Sequence, residues 1–479
     1  MASLTSSLLT ASGALGAFTE ALSVIQNNVA NASTPDYAVQ SENFEPLEFN
    51  PSQGFPGGVR AGQVISSRDE YAEQAVQQQS TLLGQAQQDV NSLTSLQSLF
   101  DISGNSGISA AFNNLFSAFS AWGQTPDSSV AQQNVIQQAI TVASAFRQTA
   151  TGLQTAAQDT QQQLQATVDQ VNQLATQLAG FNQQIMNGDR NDAGLDAQIH
   201  STLDQLSNDG SISATKQTDG TWKVLLNGQT PLVMQNKAFA LSTSTAAPSA
   251  GSANPNGPPH LSVLASDGTD ITADTTSGQL GSLLNTANVV LPGYLGDETQ
   301  DGSLNTLAES FASNVNTLLT NGYQSSGPPP VAGVPLFTWD TNNDTNVAQS
   351  LQVSSTITPS QLAAISPGPP AVSNGVPLAL SQLANPTSAS DEINGLSYTQ
   401  YYASMTSKVG TLLDTANANL QTQQAAVTQA QNIRQQVSGV SLDREATILL
   451  QFQQAYEANS KLVSVLNQLT QDTLNMLST

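Results

Sequence analysis

Side chains suited to acid–base or metal chemistry are sparse in this 479-residue sequence, which has two histidines and no cysteine. His200 has Asp196 and Asp204 one helical turn to either side, so the three would share one face of a helix. A metal site needs a further strong ligand nearby, and the sequence offers none. We therefore expect a solvated helix face at His200, and a loop at His260, which follows Gly-Pro-Pro.

The run DTNNDTN at residues 340–346 is a second candidate site. Its Asp340, Asn342 and Asp344 are spaced like the first ligands of a calcium loop. Threonine and leucine occupy the sixth and twelfth positions, where such loops have glycine and glutamate. A turn rich in Asn and Asp explains the pattern better, and the acidic run 297–301 reads as a solvated loop. No phosphate-binding loop, GxSxG or HExxH motif occurs, so we predict no enzyme, no cofactor and no metal site.

The charge balance limits the classes of partner. The chain has 11 basic and 35 acidic residues, a net charge of −24, which disfavours nucleic acid and anionic membranes. No basic residue precedes Arg60, so the N-terminus does not resemble a signal peptide. No stretch approaches the ~18 unbroken apolar residues of a membrane span. The length predicts about two to four domains, and the absence of cysteine excludes disulfides.

The sequence predicts an amphipathic helix with a heptad pattern at each end of the chain, and such helices could position a surface for assembly. The N-terminal apolar residues follow alternating steps of four and three, which is typical of a coiled-coil seam: Leu4, Leu8, Ala11, Leu15, Phe18, Leu22, Ile25 and Val29. This helix should end near Ala32, because Pro35 disfavours helix at the residue before it. After a Ser441 N-cap, the last helix has a similar stripe: Leu449, Phe452, Tyr456, Val463, Leu466 and Leu477.

Between these ends the apolar spacing predicts further helices and one β-rich segment. Helical patterns cover 71–100, 112–122, 136–185, 279–288, 304–321 and 398–437. Alternating residues with Asp-Gly and Asn-Gly turns predict β-hairpins at 210–242, and a strand is expected at 260–265. We expect a linker at 243–259 and extended chain with turns at 41–63, while 325–397 is undetermined.

The two end helices have alternative roles, because neither can bury its stripe alone. They could pack on one another inside a globular bundle. They could also form an exposed or disordered pair that becomes ordered only on assembly. Polar outer faces, and the turn and glycine breaks that separate both helices from the middle of the chain, favour the second alternative.

The end segments resemble a known family. NNVANASTPDY after the first helix, and SGVSLDREATILLQFQQAYEANS in the last, resemble the paired terminal motifs of the bacterial flagellar axial proteins, which are the rod, hook and hook-associated proteins. The long helical middle, including FNNLFSAFSAWGQTPDSSVAQQNVIQQA, resembles the hook-associated branch. The alternatives are another axial protein (hook, rod or flagellin-like), or a secreted coiled-coil binding module.

The chain departs from the family motif at four positions. Asp36 replaces the usual glycine of the Thr-Pro-Gly-Tyr turn, and aspartate tolerates positive φ if the turn needs it. Val39 stands where a basic residue is common, so a contact to a neighbour is in doubt. Ser441 replaces asparagine but can still cap a helix. Arg444 takes a usually acidic place.

The resemblance implies a mainly α fold: a long helical bundle with discontinuous N- and C-terminal coiled-coil helices and a small β insertion. The expected domains are an inner assembly domain (1–40 with 439–479), a helical bundle (41–207 with 276–438) and a β-hairpin insertion (208–275). The implied function is a non-enzymatic structural subunit that joins hook to filament through packing of its terminal helices between subunits.

The same resemblance implies where the chain works and what it contacts. It would be extracellular, at the hook–filament junction, after export through the flagellar type III apparatus without signal cleavage. Its partners would be further copies of itself, the hook protein, the second junction protein (hook-associated protein 3) and a cytoplasmic export chaperone. The assembly interface would comprise both stripes together with Asn31, Pro35 and Tyr37. The candidate chaperone site is Leu449, Phe452, Tyr456, Val463 and Leu466.

Overall fold

Long helices dominate the chain, which confirms the prediction of a mainly α protein with small sheets. The structure is a computed structural model, and it describes residues 2–50, 55–100, 106–190, 192–327, 329–340 and 346–477. Most of the candidate calcium loop therefore lies outside the described residues. The chain divides into two compact units: unit 1 is 1–81, 172–239 and 423–479, and unit 2 is 82–171 and 240–422.

Unit 1 contains both ends of the chain. Its own helices are α1 (Ala2–Ala30), α5 (Ala193–Asp209) and α12 (Leu442–Leu477). Its strands are β1 (Gln40–Asn50), β2 (Phe55–Ser66), β3 (Ile212–Lys216), β4 (Trp222–Leu226), β5 (Thr230–Met234) and β6 (Lys237–Ala238). Three long helices contribute residues to both units: α2 (Glu70–Gln97), α4 (Ser129–Asn187) and α11 (Tyr398–Ser438).

The segment expected to be extended chain with turns is a long antiparallel hairpin. β1 pairs with β2 from Gln40–Ser66 to Asn50–Phe55, with a register shift between Glu42 and Phe44. The hairpin packs along α1. Near its far end Gly58 has φ +120°, and a Cβ there would lie 2.9 Å from Thr10 Cγ2, so a side chain would push the hairpin away from α1.

The predicted β-hairpins form one antiparallel sheet of order β3-β4-β5-β6 beside α5. Along β4, alternate residues Trp222, Val224 and Leu226 are buried, as the alternating sequence predicts for a half-buried strand. Asn182 of α4 holds the start of β4, since its Oδ1 accepts from Trp222 N at 2.7 Å and its Nδ2 donates to Trp222 O at 2.7 Å.

Unit 2 holds the remaining elements. Its helices are α3 (Gly107–Gln124), α6 (Gly278–Asn285), which continues as a π-helix (Thr286–Val290), α7 (Pro292–Leu295), α8 (Ser303–Thr320), α9 (Val347–Ser350) and α10 (Gly375–Gln382). Its strands are β7 (Ser242–Ala246), β8 (His260–Leu264), β9 (Tyr323–Ser325), β10 (Val331–Ala332), β11 (Phe337–Thr338) and β12 (Gln352–Val353).

An aromatic core holds unit 2 together. Phe112 contacts Phe311 with ring centroids 4.7 Å apart, and Phe146 with centroids 5.7 Å apart. Trp122 is fully buried, and its Nε1 donates to Pro126 O at 3.1 Å. Trp122 and these rings belong to one buried cluster, and burial of such large rings contributes strongly to the stability of this unit.

The structure of the β-rich segment contradicts the linker expected at 243–259 and does not test the expected domain division. The linker expected at 243–259 contains most of β7, which pairs with β8 from Ser242–Leu264 to Ala246–His260. Serine and threonine dominate β7, so its composition resembles a linker although its backbone is paired. β3–β6 belong to unit 1 and β7–β8 to unit 2. The three-domain division given above stays a prediction.

One described helix resembles a membrane span in length and composition. The segment Leu4–Ala30 of α1 has a mean hydropathy of 1.5 in its most apolar window, of which 28% is buried. Serines, threonines and glycines interrupt its apolar residues, so the segment has no unbroken apolar run of the length of a membrane span. Apolar helices that pack in soluble proteins pass the same test, so this property alone does not assign α1 to a bilayer.

Candidate assembly site

A buried asparagine joins the first helix to the last. The Asn28 side chain of α1 is 1% exposed. Its Nδ2 donates to Glu445 Oε2 of α12 at 3.0 Å and to Gln40 O at 2.8 Å. Its Oδ1 accepts from Gln40 N at 2.9 Å and from Tyr37 Oη at 3.1 Å. One side chain of α1 thus bonds to polar groups from the turn after it, from β1 and from α12, which fixes their mutual register.

An aromatic trio extends this contact along the helices. Phe18 of α1, Phe44 of β1 and Phe452 of α12 meet pairwise, with ring centroids 5.6–6.2 Å apart. Residues 28 and 18 of α1 face residues 445 and 452 of α12, so the two helices are antiparallel. The terminal helices are therefore paired with each other and with the β1–β2 hairpin inside one copy of the chain.

The turn after α1 has a positive φ at residue 36, the position where the family motif usually has glycine. Asp36 has φ +60°, a left-handed conformation that most side chains avoid and aspartate tolerates. The prediction that aspartate can replace glycine in this turn is thus confirmed. Its carboxylate accepts from Arg434 Nη2 of α11 at 2.7 Å, and its backbone carbonyl accepts from Arg68 Nη2 at 2.7 Å.

Two arginines hold a buried network behind this turn. Arg434 also contacts Asp204 Oδ2 of α5 at 2.8 Å and Glu73 Oε2 of α2 at 3.2 Å. Arg68 contacts Glu73 Oε1 at 2.5 Å, and its Nε donates to Asp196 Oδ2 at 2.9 Å. Their side chains are only 15% and 8% exposed. Planar guanidinium groups suit such multiple contacts, because each offers several donors in a fixed geometry.

The network shifts the pKa values of its members in opposite directions. Burial would raise the pKa of Glu73, but contacts with the His200 ring, Arg68 and Arg434 lower it to about 2. Burial raises the pKa of Asp204 to about 7, although Arg434 partly offsets the effect. Burial alone would lower the pKa of Arg434, and the surrounding carboxylates hold it above its usual value. The carboxylates thus keep Arg434 charged and fix it at the base of the terminal helices.

His200 is buried, so the expectation of a solvated helix face is wrong. Its side chain is 3% exposed, with Nδ1 3.6 Å from Glu73 Oε2 and Nε2 4.0 Å from Asp196 Oδ1. The ring meets Trp222 edge-on, with centroids 5.1 Å apart. The local sequence reads as a polar face because the groups that cover it come from α2 and β4, which are distant in the chain. Among the described residues, no group of three His, Asp or Glu side chains is arranged to hold a metal ion.

Helix α12 presents two apolar stripes, of which one is covered in a single copy. The half-buried stripe includes the predicted residues Leu449, Phe452, Val463 and Leu466. A second stripe is open to solvent: Leu462 is 50% exposed, Val465 58%, Leu469 48% and Met476 78%. A shift of one residue turns a helix face by about 100°. The second stripe is therefore turned by about 100° from the covered seam and lies on a different face of α12.

Helix α1 buries small residues and leaves its larger ones partly open. Its most buried positions are Ala11, Ala14, Ala17, Ala21, Ile25 and Asn28. The predicted residues Leu4, Leu8, Leu15, Phe18 and Leu22 are half-buried. Val29 is 45% exposed. Alanines let neighbouring elements approach α1 closely, while its leucines flank the contact.

The other residues predicted for the assembly interface differ in their exposure to solvent. Tyr37 is buried, Pro35 is exposed, and Asn31 is half-buried and bonds only to Asn27 and Thr34 nearby. Tyr456 is 38% exposed, although it lies one heptad from both Leu449 and Val463 of the covered stripe. Leu477 ends α12, and its side chain is outside the described part. The sequence reading missed Asn28 and the second stripe on α12, although the apolar residues at 462, 465, 469 and 476 follow heptad steps of three, four and seven.

Comparisons with known proteins agree with this arrangement. A family model described as the flagellar hook-associated protein FlgK helical domain matches residues 93–337. Models for the flagellar basal body rod FlgEFG protein C-terminal and the flagella basal body rod protein match residues 432–476 and 8–37. These last two segments fall within α11–α12 and on α1 with its turn.

Whole-length relatives and a solved structure extend the similarity. Flagellar hook-associated protein 1 of Bacillus subtilis (strain 168) is 26% identical, over 98% of this chain and 97% of that protein. The protein of the same name from Escherichia coli (strain K12) is 24% identical, over 96% and 98%. The flagellar hook junction protein FlgK from Burkholderia pseudomallei shares the fold, with a TM-score of 0.64 at 17% identity, over 77% of this chain and 100% of that chain.

The family follows from the extent of the first match. Residues 93–337 are 245 of the 479 residues, which is just over half of the chain. The rod-type models occupy the two ends, as expected for flagellar axial proteins. This chain therefore belongs to the FlgK family of flagellar hook-associated proteins, which are structural proteins of the flagellum.

Proposed function

We propose that this flagellar structural protein joins hook to filament, and that α1 and α12 pack between neighbouring copies to do so. The observation that carries the proposal is the second apolar stripe on α12, which remains open after α1 has covered the first. A soluble helix with two apolar faces needs two partners. Within one copy the described residues supply only one of them.

Burial of this stripe would contribute a free energy large enough to favour assembly. Burying a large apolar side chain contributes roughly 1.5–3 kcal/mol, so half-exposed ones can contribute about 1 kcal/mol each on further burial. The four residues of the stripe therefore offer about 4 kcal/mol per copy before the cost of association. Repeated along a polymer, in which each copy has several neighbours, such contacts favour assembly over the free chain.

The stripe gives a direct test of the proposal. Val465→Asp should leave the isolated chain as stable as wild type, because Val465 is 58% exposed and off the covered seam. It should strongly reduce the amount of chain recovered with sheared flagella, because the charge would have to be buried between copies. Ser464→Asp, at the adjacent exposed position, is the matched control and should assemble normally. Equal recovery of both variants would contradict the proposal.

The open stripe and membership of the family support a proposal about the partners. Besides further copies, we propose the hook protein on one side and the second junction protein, hook-associated protein 3, on the other, outside the cell. Before export, a cytoplasmic chaperone would cover Leu449, Phe452, Tyr456, Val463 and Leu466, because an exposed amphipathic helix is prone to premature association. Deletion of residues 441–479 should abolish chaperone binding, and unchanged binding in a pull-down would contradict this part.

A further inference from the structure

Helix α1 contains a single charged residue, Glu20, in 29 residues. Glu20 is exposed and forms no ion pair in the described part of the chain. A lone carboxylate on an otherwise uncharged helix is costly to bury when the helix enters an assembly, unless a cation meets it. The position of Glu20 therefore constrains what can pack on this face of α1.

Glu20 lies in an open groove within unit 1. The groove has a volume of about 730 Å³. It is formed by one face of α1 (Glu20, Ser23, Val24, Asn27), by Asn31 just after that helix, by hairpin residues Gln40, Gly62, Gln63 and Val64, and by the start of α5 at Asp192, Ala193 and Gly194. No basic residue is among these lining residues. Its charged members, Glu20 and Asp192, are both acidic, so the groove is suited to a positively charged occupant.

A second carboxylate adds to the negative charge beside the groove. Glu42 lies on the same face of β1 as Gln40, and both of its carboxylate oxygens are shielded from solvent. Burial, and the nearby Glu20 charge, raise the pKa of Glu42, and the Gly62 backbone N–H partly offsets the shift. Two neighbouring carboxylates without a cation repel each other, which is tolerated in a free chain and relieved by a positive partner.

The terminal helices supply matching cations elsewhere. Arg444 and Lys461 are the two basic residues of α12, and both are exposed with no ion pair in the described chain. Neither lies in the groove of its own copy, because the groove is lined by α1, the hairpin and α5. With 35 acidic against 11 basic residues, free cations are scarce in this chain, and two of them are on the helix expected to meet a neighbour.

We propose that the groove at Glu20 is an interaction surface for a second copy of this chain, which inserts a basic side chain of α12, Arg444 or Lys461. This rests on the proposed assembly through the terminal helices and deepens it by naming the contact. Burial of the apolar stripe on α12 favours association but does not by itself fix how two copies are aligned. The charge contact would set the register between copies, since a slipped register would bury Glu20 against uncharged surface.

Charge reversal in the full-length chain tests the proposal in cells. Glu20→Lys should lower the amount of chain recovered with sheared flagella by at least about fivefold. Either Lys461→Glu or Arg444→Glu should lower it similarly. The double variant that combines Glu20→Lys with whichever of these two reversals lowers recovery should be recovered like wild type. That result would identify the basic residue that contacts Glu20. Glu48→Lys, which changes an exposed carboxylate of β1 outside the groove, is the matched control and should behave as wild type.

The outcomes separate this proposal from the function on which it rests. If wild-type chain is absent from sheared flagella, the proposed function fails. If wild type is recovered but Glu20→Lys is recovered equally well, or if neither double variant is restored, only the groove proposal is overturned. Calcium or magnesium binding to the purified chain, lost in Glu20→Gln, would assign the groove to a metal ion and would also overturn it.

Discussion

Replacement of Asn28 by alanine should release the first helix from the last. Three bonds to neutral groups of Gln40 and Tyr37 would be lost, each worth about 1 kcal/mol, together with a bond to the Glu445 carboxylate worth about 1.5–3 kcal/mol. The sum is about 4.5–6 kcal/mol. Water entering the small cavity restores part of it, so we expect a net loss of about 3–4 kcal/mol in the local stability of the α1–α12 pair.

Hydrogen exchange is the appropriate assay, because the loss is local to one part of unit 1. A loss of about 3 kcal/mol should accelerate exchange of amides in the second half of α1 and the first half of α12 by roughly 100-fold. Amides in the aromatic core of unit 2 should exchange as in wild type. Tyr37→Phe removes one of the four bonds and should produce a loss of about 1 kcal/mol.

Asn31, in the turn directly after α1, provides the matched control. Among the described residues its side chain bonds only to Asn27 and Thr34 nearby, so Asn31→Ala should change local stability by about 0.5 kcal/mol or less. If Asn28→Ala accelerates exchange no more than Asn31→Ala does, the buried asparagine does not join the terminal helices, and the described pairing is wrong.

Two further substitutions test the buried charges. Asp209 is fully buried, neither of its oxygens has a hydrogen-bond partner in the described structure, and burial raises its pKa from 3.8 to about 7. The unfolded chain loses this proton near pH 4 and the folded chain near pH 7, so stability falls between these values as the pH rises. This rise in pKa corresponds to about 4 kcal/mol, so Asp209→Asn should remove that fall and add up to about 4 kcal/mol at pH 8 but nothing below pH 4, as measured by urea unfolding. Equal effects at both pH values would contradict it. Arg434→Met should destabilise unit 1 by about 3–5 kcal/mol, because Asp36 and Asp204 lose their cation and Glu73 retains only Arg68. Arg434→Lys keeps the positive charge and should lower the stability of unit 1 by less than Arg434→Met does. An equal loss of stability for both variants in the same unfolding assay would show that the positive charge at residue 434 does not contribute.

The sequence predicted the helices well because their apolar spacing is a local signal. The stripes of α1 and α12, the long middle helices and the tolerance of Asp36 for positive φ could all be read from neighbouring residues. The β1–β2 hairpin was missed because proline and glycine, which interrupt most strands, here lie within the strands and at their close approach to α1.

The buried network could not be predicted because its partners are far apart in the chain. Arg434 and Asp36 are separated by 398 positions, and Asn28 and Glu445 by 417. For the same reason His200 was read as solvated, although residues of α2 and β4 enclose it. The predicted assembly residues and domain boundaries concern contacts between copies and between parts of the chain, so they stay predictions until assembly is measured.

The most direct test of the central claim is electron microscopy of cells that lack this chain, together with a search for flagellin in the medium. A structural subunit that joins hook to filament predicts complete hooks without filaments and monomeric flagellin released from the cells. Cells without hooks would place the chain in the rod or hook instead. Normal filaments would contradict a role at the hook–filament junction.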